Sequence, residues 1–68
     1  MKIIKDNDGN EFAEINVRNI GENKLAVRFD DGDNKFWIPI FYLEDWPDKG
    51  EAGTALVHLW FAEKGGLV

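Results

Sequence analysis

Eleven residues, Phe36-Trp37-Ile38-Pro39-Ile40-Phe41-Tyr42-Leu43-Glu44-Asp45-Trp46, hold five of the nine aromatic side chains of this 68-residue chain. From Phe36 to Leu43 there are eight consecutive residues without a charge. A half-buried strand alternates apolar and polar side chains, so such a run requires burial on both faces, or one face kept for a partner. Pro39 has no N–H to give to a ladder. A strand that begins near Phe36 therefore ends at Pro39, lies at a sheet edge or bulges there.

The rest of the chain reads as short strands between turns. Lys2 to Lys5 is β-branched and precedes Asp6-Asn7-Asp8-Gly9-Asn10, in which Asp8-Gly9 favours the positive φ of a hairpin turn. The second arm spans Phe12 to Ile20, with Ile15 and Val17 on one face and Glu14, Asn16 and Arg18 on the other. Gly21-Glu22-Asn23 punctuates it. Lys24 to Phe29 alternates cleanly, so Leu25, Val27 and Phe29 are expected inward. A second turn, Asp30-Asp31-Gly32-Asp33-Asn34, leads into the aromatic segment, which makes three strands of a meander. Glu44 to Gly53 is rich in Asp, Pro, Lys, Gly and Glu. With Trp46 held extended before Pro47, it reads as a surface loop anchored by an indole. Thr54 to Leu59 suits a fifth strand, and Leu59 to Lys64 suits a short helical turn stopped by Gly65-Gly66; a single helix from Ala55 to Lys64 is the alternative. The expected fold is mainly β: one domain over residues 1–68, built as a small five-stranded antiparallel barrel or curled sheet of the SH3-like or OB-like kind.

Composition narrows the chemistry. There is no cysteine and a single histidine, His58, so a thiolate metal site is excluded and no metal or other cofactor is expected. Serine is also absent, which removes Ser-His-Asp and Cys-His arrangements and leaves Thr54 and Tyr42 as the only hydroxyl groups. The adjacent pair Glu44 and Asp45 reads as a solvated loop face, not as an acid–base pair. Neither Asp-Gly turn has the spacing of a calcium-binding EF-hand loop. The expectation is a binding module and not an enzyme. No apolar run approaches the roughly 20 residues of a membrane span, and the segment after Met1 lacks signal-peptide character, which points to a cytoplasmic protein.

Thirteen acidic against eight basic residues give a formal charge of −5, the wrong sign for a protein that lives on phosphate contacts. A nucleic-acid reading is still definable: Arg18, Arg28 and Lys35 around Trp37 would form a stacking platform with a thin basic rim for single-stranded nucleic acid or a nucleotide.

Trp37-Ile38-Pro39 followed by Trp60-Phe61-Ala62-Glu63-Lys64-Gly65-Gly66-Leu67-Val68 resembles small proteins encoded by bacteriophages and prophages, which carry a Trp-Ile-Pro or Trp-Leu-Pro motif and a Trp-Leu-Ala-Glu-Lys-like tail. The resemblance covers about the second half of the chain. It implies a mobile-element source and, for a small protein of this kind, action on host machinery such as a defence system. Where those proteins place a polar triplet, this chain has Ile40-Phe41-Tyr42. An apolar patch on an otherwise polar surface marks a contact site. The expected partner surface is therefore Ile40, Phe41, Tyr42 and Trp46, rimmed by Glu44, Asp45 and Asp48, and facing a host or phage protein. Burial of the same segment between copies of the chain, in a structural homo-oligomer, is the remaining alternative.

Overall fold

The computed structural model describes residues 2–67. Six strands form one curled antiparallel sheet, followed by a short helix: β1 (Lys2–Lys5), β2 (Glu11–Glu22), β3 (Ala26–Asp30), β4 (Lys35–Pro39), β5 (Leu43–Asp45), β6 (Ala52–His58) and α1 (Leu59–Lys64), with a 3₁₀ turn at Ile40–Tyr42 between β4 and β5. The order across the sheet is β4-β3-β2-β6-β5, with β1 also paired to β2. The two end strands, β4 and β5, do not pair with each other, so the sheet does not close and the expected barrel gives way to an open sheet.

β2 is the spine. Its residues Phe12 to Arg18 pair with His58 to Ala52 of β6, its start pairs with β1 (Glu11↔Lys5 to Glu14↔Lys2), and its end pairs with β3 (Arg18↔Asp30 to Glu22↔Val27). Because β6 occupies one edge over Phe12 to Arg18, β1 and β3 share the other. Between Asn19↔Phe29 and Gly21↔Arg28 the register shifts, leaving Ile20 as a bulge. A bulge bends its strand and sharpens the local twist.

Inward-facing side chains alternate along the strands as the pleat requires. Ala13 and Val17 from β2, Val27 and Phe29 from β3, Ile38 from β4, Leu43 from β5, Ala55 and Val57 from β6 and Ala62 from α1 form the buried core. Leu25, expected inward, is 79% exposed. The Asn23 side chain accepts hydrogen bonds from the N–H groups of Leu25 (2.8 Å) and Ala26 (2.9 Å), which holds Leu25 in a turn ahead of the strand.

The two Asp-Gly turns close hairpins as expected, with Gly9 at φ 87° and Gly32 at φ 101°. Side-chain carboxylates organise both, Asp6 in the first and Asp31 in the second, where Asp30 also accepts from Gly32 N–H at 2.8 Å. Asp6 accepts from the N–H groups of Asp8 and Asn10, both at 2.9 Å, and from the Asn10 amide at 3.2 Å. Asp31 accepts from the N–H groups of Asp33 (2.9 Å) and Asn34 (2.8 Å). β4 ends at Pro39 and is an edge strand, as proline dictates.

Beyond Tyr42 the fold departs from the expected one. Leu43–Asp45 is a sixth strand and not part of a loop: Leu43 pairs with Val57 and Asp45 with Leu56, with a register shift at Glu44. Acidic residues disguise it, because it is a short edge strand whose carboxylates face outward. β6 begins at Ala52, two residues before the expected Thr54, and the chain turns helical at Leu59. The helix stops at Gly65-Gly66 in a Schellman arrangement. Leu67 N–H donates to the Ala62 carbonyl (2.9 Å), Gly66 N–H donates to the Glu63 carbonyl (3.3 Å), and Gly66 has φ 72°. This turns Leu67 back against the core. Val68, the last residue of the tail motif, lies outside the described residues. Among those residues no helix is long and apolar enough to cross a membrane.

Among the described residues Asn19 is the one buried polar side chain, and it is fully enclosed. Its Nδ2 donates to Glu22 Oε2 (2.7 Å) and to the Pro47 carbonyl (3.0 Å), and its Oδ1 accepts from Gly21 N–H (3.1 Å). Its backbone N–H donates to the Glu51 carbonyl (3.0 Å) and its carbonyl accepts from Gly50 N–H (2.8 Å). One residue thus spans the bulge and fastens the loop that connects β5 to β6. Asn19→Ala removes three part-buried hydrogen bonds to two segments and leaves a gap at an enclosed position, and should lower unfolding free energy by about 1–3 kcal/mol, read by urea titration. Asn19→Asp keeps the shape but loses both donors and sets a carboxylate against Glu22; it should be no more stable than Asn19→Ala.

The turn carboxylates give an acid dependence. At Asp6 desolvation acts upward, but hydrogen bonds from Asn10, Asp8 and Gly9 outweigh it and hold the carboxyl below its ordinary 3.8. At Asp31 the N–H groups of Asn34 and Asp33 lower it. A depressed carboxyl stabilises the fold above its unfolded value, and that contribution is lost as pH falls below 3.8 through the folded value. A double variant, Asp6→Asn with Asp31→Asn, should therefore lose less Tm than the parent on acidification from about pH 5 to about pH 2.

Candidate functional site

The 3₁₀ turn decides how the aromatic run is divided. At about three residues per turn, successive side chains leave in three directions. Ile40 and Tyr42 pack against the core while Phe41 is 83% exposed. The Ile40 N–H donates to the Leu25 carbonyl at 2.8 Å, which pins the turn to the start of β3.

Tyr42 is the hub of an aromatic cluster. Its ring stacks on Phe61 (4.6 Å between centroids, 15° between planes), meets Phe41 edge to face (5.1 Å, 89°), and lies 5.8 Å from Trp60 and 6.4 Å from His58. His58 in turn packs on Phe12 at 4.9 Å. Phe41, Tyr42, His58 and Trp60 line an open cleft of about 320 Å³. Trp60 is 58% exposed, and the Lys64 ammonium lies 5.1 Å from its ring centroid.

Of the four apolar anchors expected from sequence, Phe41 alone offers most of its surface to solvent. Ile40, Tyr42 and Trp46 are half-buried against the core. Trp46 anchors the β5–β6 connection, and its N–H is held by the Asp45 carboxylate (3.0 Å). Glu44, Asp45 and Asp48 are exposed. Trp60 and His58 line the cleft although neither belongs to the partner surface expected from sequence. The signal for Trp60 was present: in α1, Leu59 and Ala62 share the buried face, and Trp60 with Lys64 forms an i, i+4 pair on the other.

The basic candidates also come together. Arg28 pairs with Trp37 and Asp30 with both Lys35 and Arg18, so Arg18, Arg28, Lys35 and Trp37 share the outward face of β2, β3 and β4. Asp30 stands between Arg18 and Lys35. The Arg28 guanidinium lies 5.9 Å from the Trp37 ring centroid, and Arg18 Nη1 donates to the Gly50 carbonyl at 2.8 Å. Arg28 and Arg18 already have partners within the fold. Among the described residues no group of three or more His, Asp or Glu side chains is arranged to hold a metal ion.

The division of labour at the 3₁₀ turn is measurable. Phe41→Ala, at a side chain 83% exposed whose contact is the edge-to-face pair with Tyr42, should change unfolding free energy by no more than about 1 kcal/mol. Tyr42→Ala, which removes the hub of the cluster, should cost about 2 kcal/mol or more. Both are read by denaturant titration.

No protein-family model, characterised protein or solved structure matches the chain.

Proposed function

We propose that this chain is a small interaction protein that binds a partner protein through the aromatic cleft of Phe41, Tyr42, His58 and Trp60. The observation that carries this reading is the exposure of Phe41 and Trp60 on either side of one apolar cleft. Exposed rings add little to folding. On association they are the residues that supply most of the binding energy, because each buries a large rigid apolar surface at small entropic cost. Glu44, Asp45 and Asp48 supply a negative rim, which governs approach rate and salt dependence more than final affinity. The likeness of the Trp-Ile-Pro motif and the Trp60 tail to phage-encoded proteins supports a host protein as the target, met in the host cytoplasm, with inhibition of a defence system as the role.

A second reading has its own observation. The shared outward face of Arg18, Arg28, Lys35 and Trp37 suits an OB-like or SH3-like module for single-stranded nucleic acid. Net charge of −5, Asp30 within the basic row and the engaged Arg28 weigh against it. Self-association through the aromatic cleft is the third possibility, and light scattering distinguishes it.

The test is capture from bacterial lysate by the tagged chain, with and without nuclease, in parallel with Phe41→Ala and Trp60→Ala. A protein retained after nuclease by the parent and bound at least about 30-fold more weakly by either variant is the expected result, the equivalent of about 2 kcal/mol. Undiminished retention by both folded variants overturns the site. Capture that vanishes with nuclease transfers the function to the basic face.

A further inference from the structure

We infer that the aromatic cleft recognises a positively charged side chain, a lysine or arginine presented by the partner protein; this deepens the proposed function and rests on it. The walls are all rings: Phe41, Tyr42, His58 and Trp60. Phe41 and Tyr42 meet at 89°, and Tyr42 and His58 at 86°. An edge-to-face pair leaves a right-angled corner bounded by ring faces, and a ring face carries the negative lobe of the quadrupole. A cation within about 6 Å of such faces is attracted, more strongly as water is excluded. Phe61 covers one face of Tyr42, and the four rings that line the cleft share one open space for an occupant.

The chain's own Lys64 ammonium lies 5.1 Å from the Trp60 centroid, in cation–π range, and competes with a partner's cation for that ring. The charge balance favours a cation over a neutral apolar group. Glu44 and Asp45 follow Tyr42 along β5, Glu63 follows Trp60 along α1, all are exposed, and the whole chain carries −5. That field steers cations toward the molecule and repels acidic competitors.

The probes are N-acetyl-arginine amide and its citrulline counterpart, which keeps the shape and loses the charge. Each is titrated into the ¹⁵N-labelled protein while the Trp60 indole N–H and the Tyr42 and Phe41 ring signals are followed. The arginine probe should give saturable shifts at these three residues and bind at least about threefold more tightly than citrulline. Phe41→Ala and Trp60→Ala, each checked for a dispersed folded spectrum, should weaken it, and Lys64→Gln should strengthen it by removing a like charge beside Trp60. Equal binding of the two probes, no saturable shift with arginine, or shifts confined to the acidic turns at Asp6–Asn10 and Asp30–Asn34 would each overturn the inference. None of these outcomes touches the protein-contact reading, which stands or falls on lysate capture with Phe41→Ala and Trp60→Ala.

Discussion

The hydrogen bonds of Asn19 are the constraint on which the arrangement depends. A buried amide is tolerated only when its donors and acceptor are satisfied, and here they are satisfied by groups from two separate stretches of chain. Side-chain bonds to Gly21 and Glu22 brace the bulge in β2, while the bond to the Pro47 carbonyl and the backbone bonds to Gly50 and Glu51 fix the β5–β6 connection. The bulge turns the end of β2 toward β3, and the fixed connection brings β6 along the opposite edge. With β6 placed, β5 and the 3₁₀ turn follow, and Tyr42 comes to rest beside α1. The aromatic cleft is thus a downstream product of a polar contact that lies elsewhere in the sheet.

Much of this was legible in the residues themselves, because the decisive signals were local. Asp-Gly pairs mark turns since glycine reaches positive φ without cost, and both hairpins stand where those pairs fall. Pro39 ends a strand at an edge because it lacks a donor. Gly65-Gly66 stops a helix because a left-handed residue is needed after it. Each of these is a property of one or two adjacent residues. The misreadings share the opposite character. Leu25 obeys the alternation of β3, but the Asn23 side chain captures its N–H and takes it out of the pattern. β5 looks like loop because three residues are too few to show a period, and its existence is decided by pairing with the distant Val57 and Leu56. Asn19 is one asparagine among several, and only the fold reveals where its hydrogen bonds go.

The candidate site was half legible for a related reason. An uncharged run reports that two faces are apolar without saying which residue takes which. In a continuous strand Ile40 and Tyr42 would share one face and Phe41 the other. The 3₁₀ turn reaches a similar separation by another geometry, and it also carries the chain from β4 at one end of the sheet to β5 at the other. Proline makes this turn natural: Pro39 ends the ladder and its fixed φ, −59° here, leads into the helical geometry of the next residues. The aromatic segment therefore joins the ends of an open sheet, and within the 3₁₀ turn Phe41 is the ring that faces solvent.

The pairing of β2 with β6 has a kinetic side. Phe12 is opposite His58 and Arg18 opposite Ala52, so the spine of the sheet has its most extensive partner far along the chain, whereas β1, β3 and β4 join their neighbours through short turns. Loop closure between distant segments is entropically demanding and slows folding. The hairpins can form early and reversibly, but one edge of β2 stays open, with unpaired backbone groups, until residues 52–58 arrive. Until then that edge can pair with any strand that reaches it, and the docking of β6 on β2 is the step that its sequence separation makes slowest.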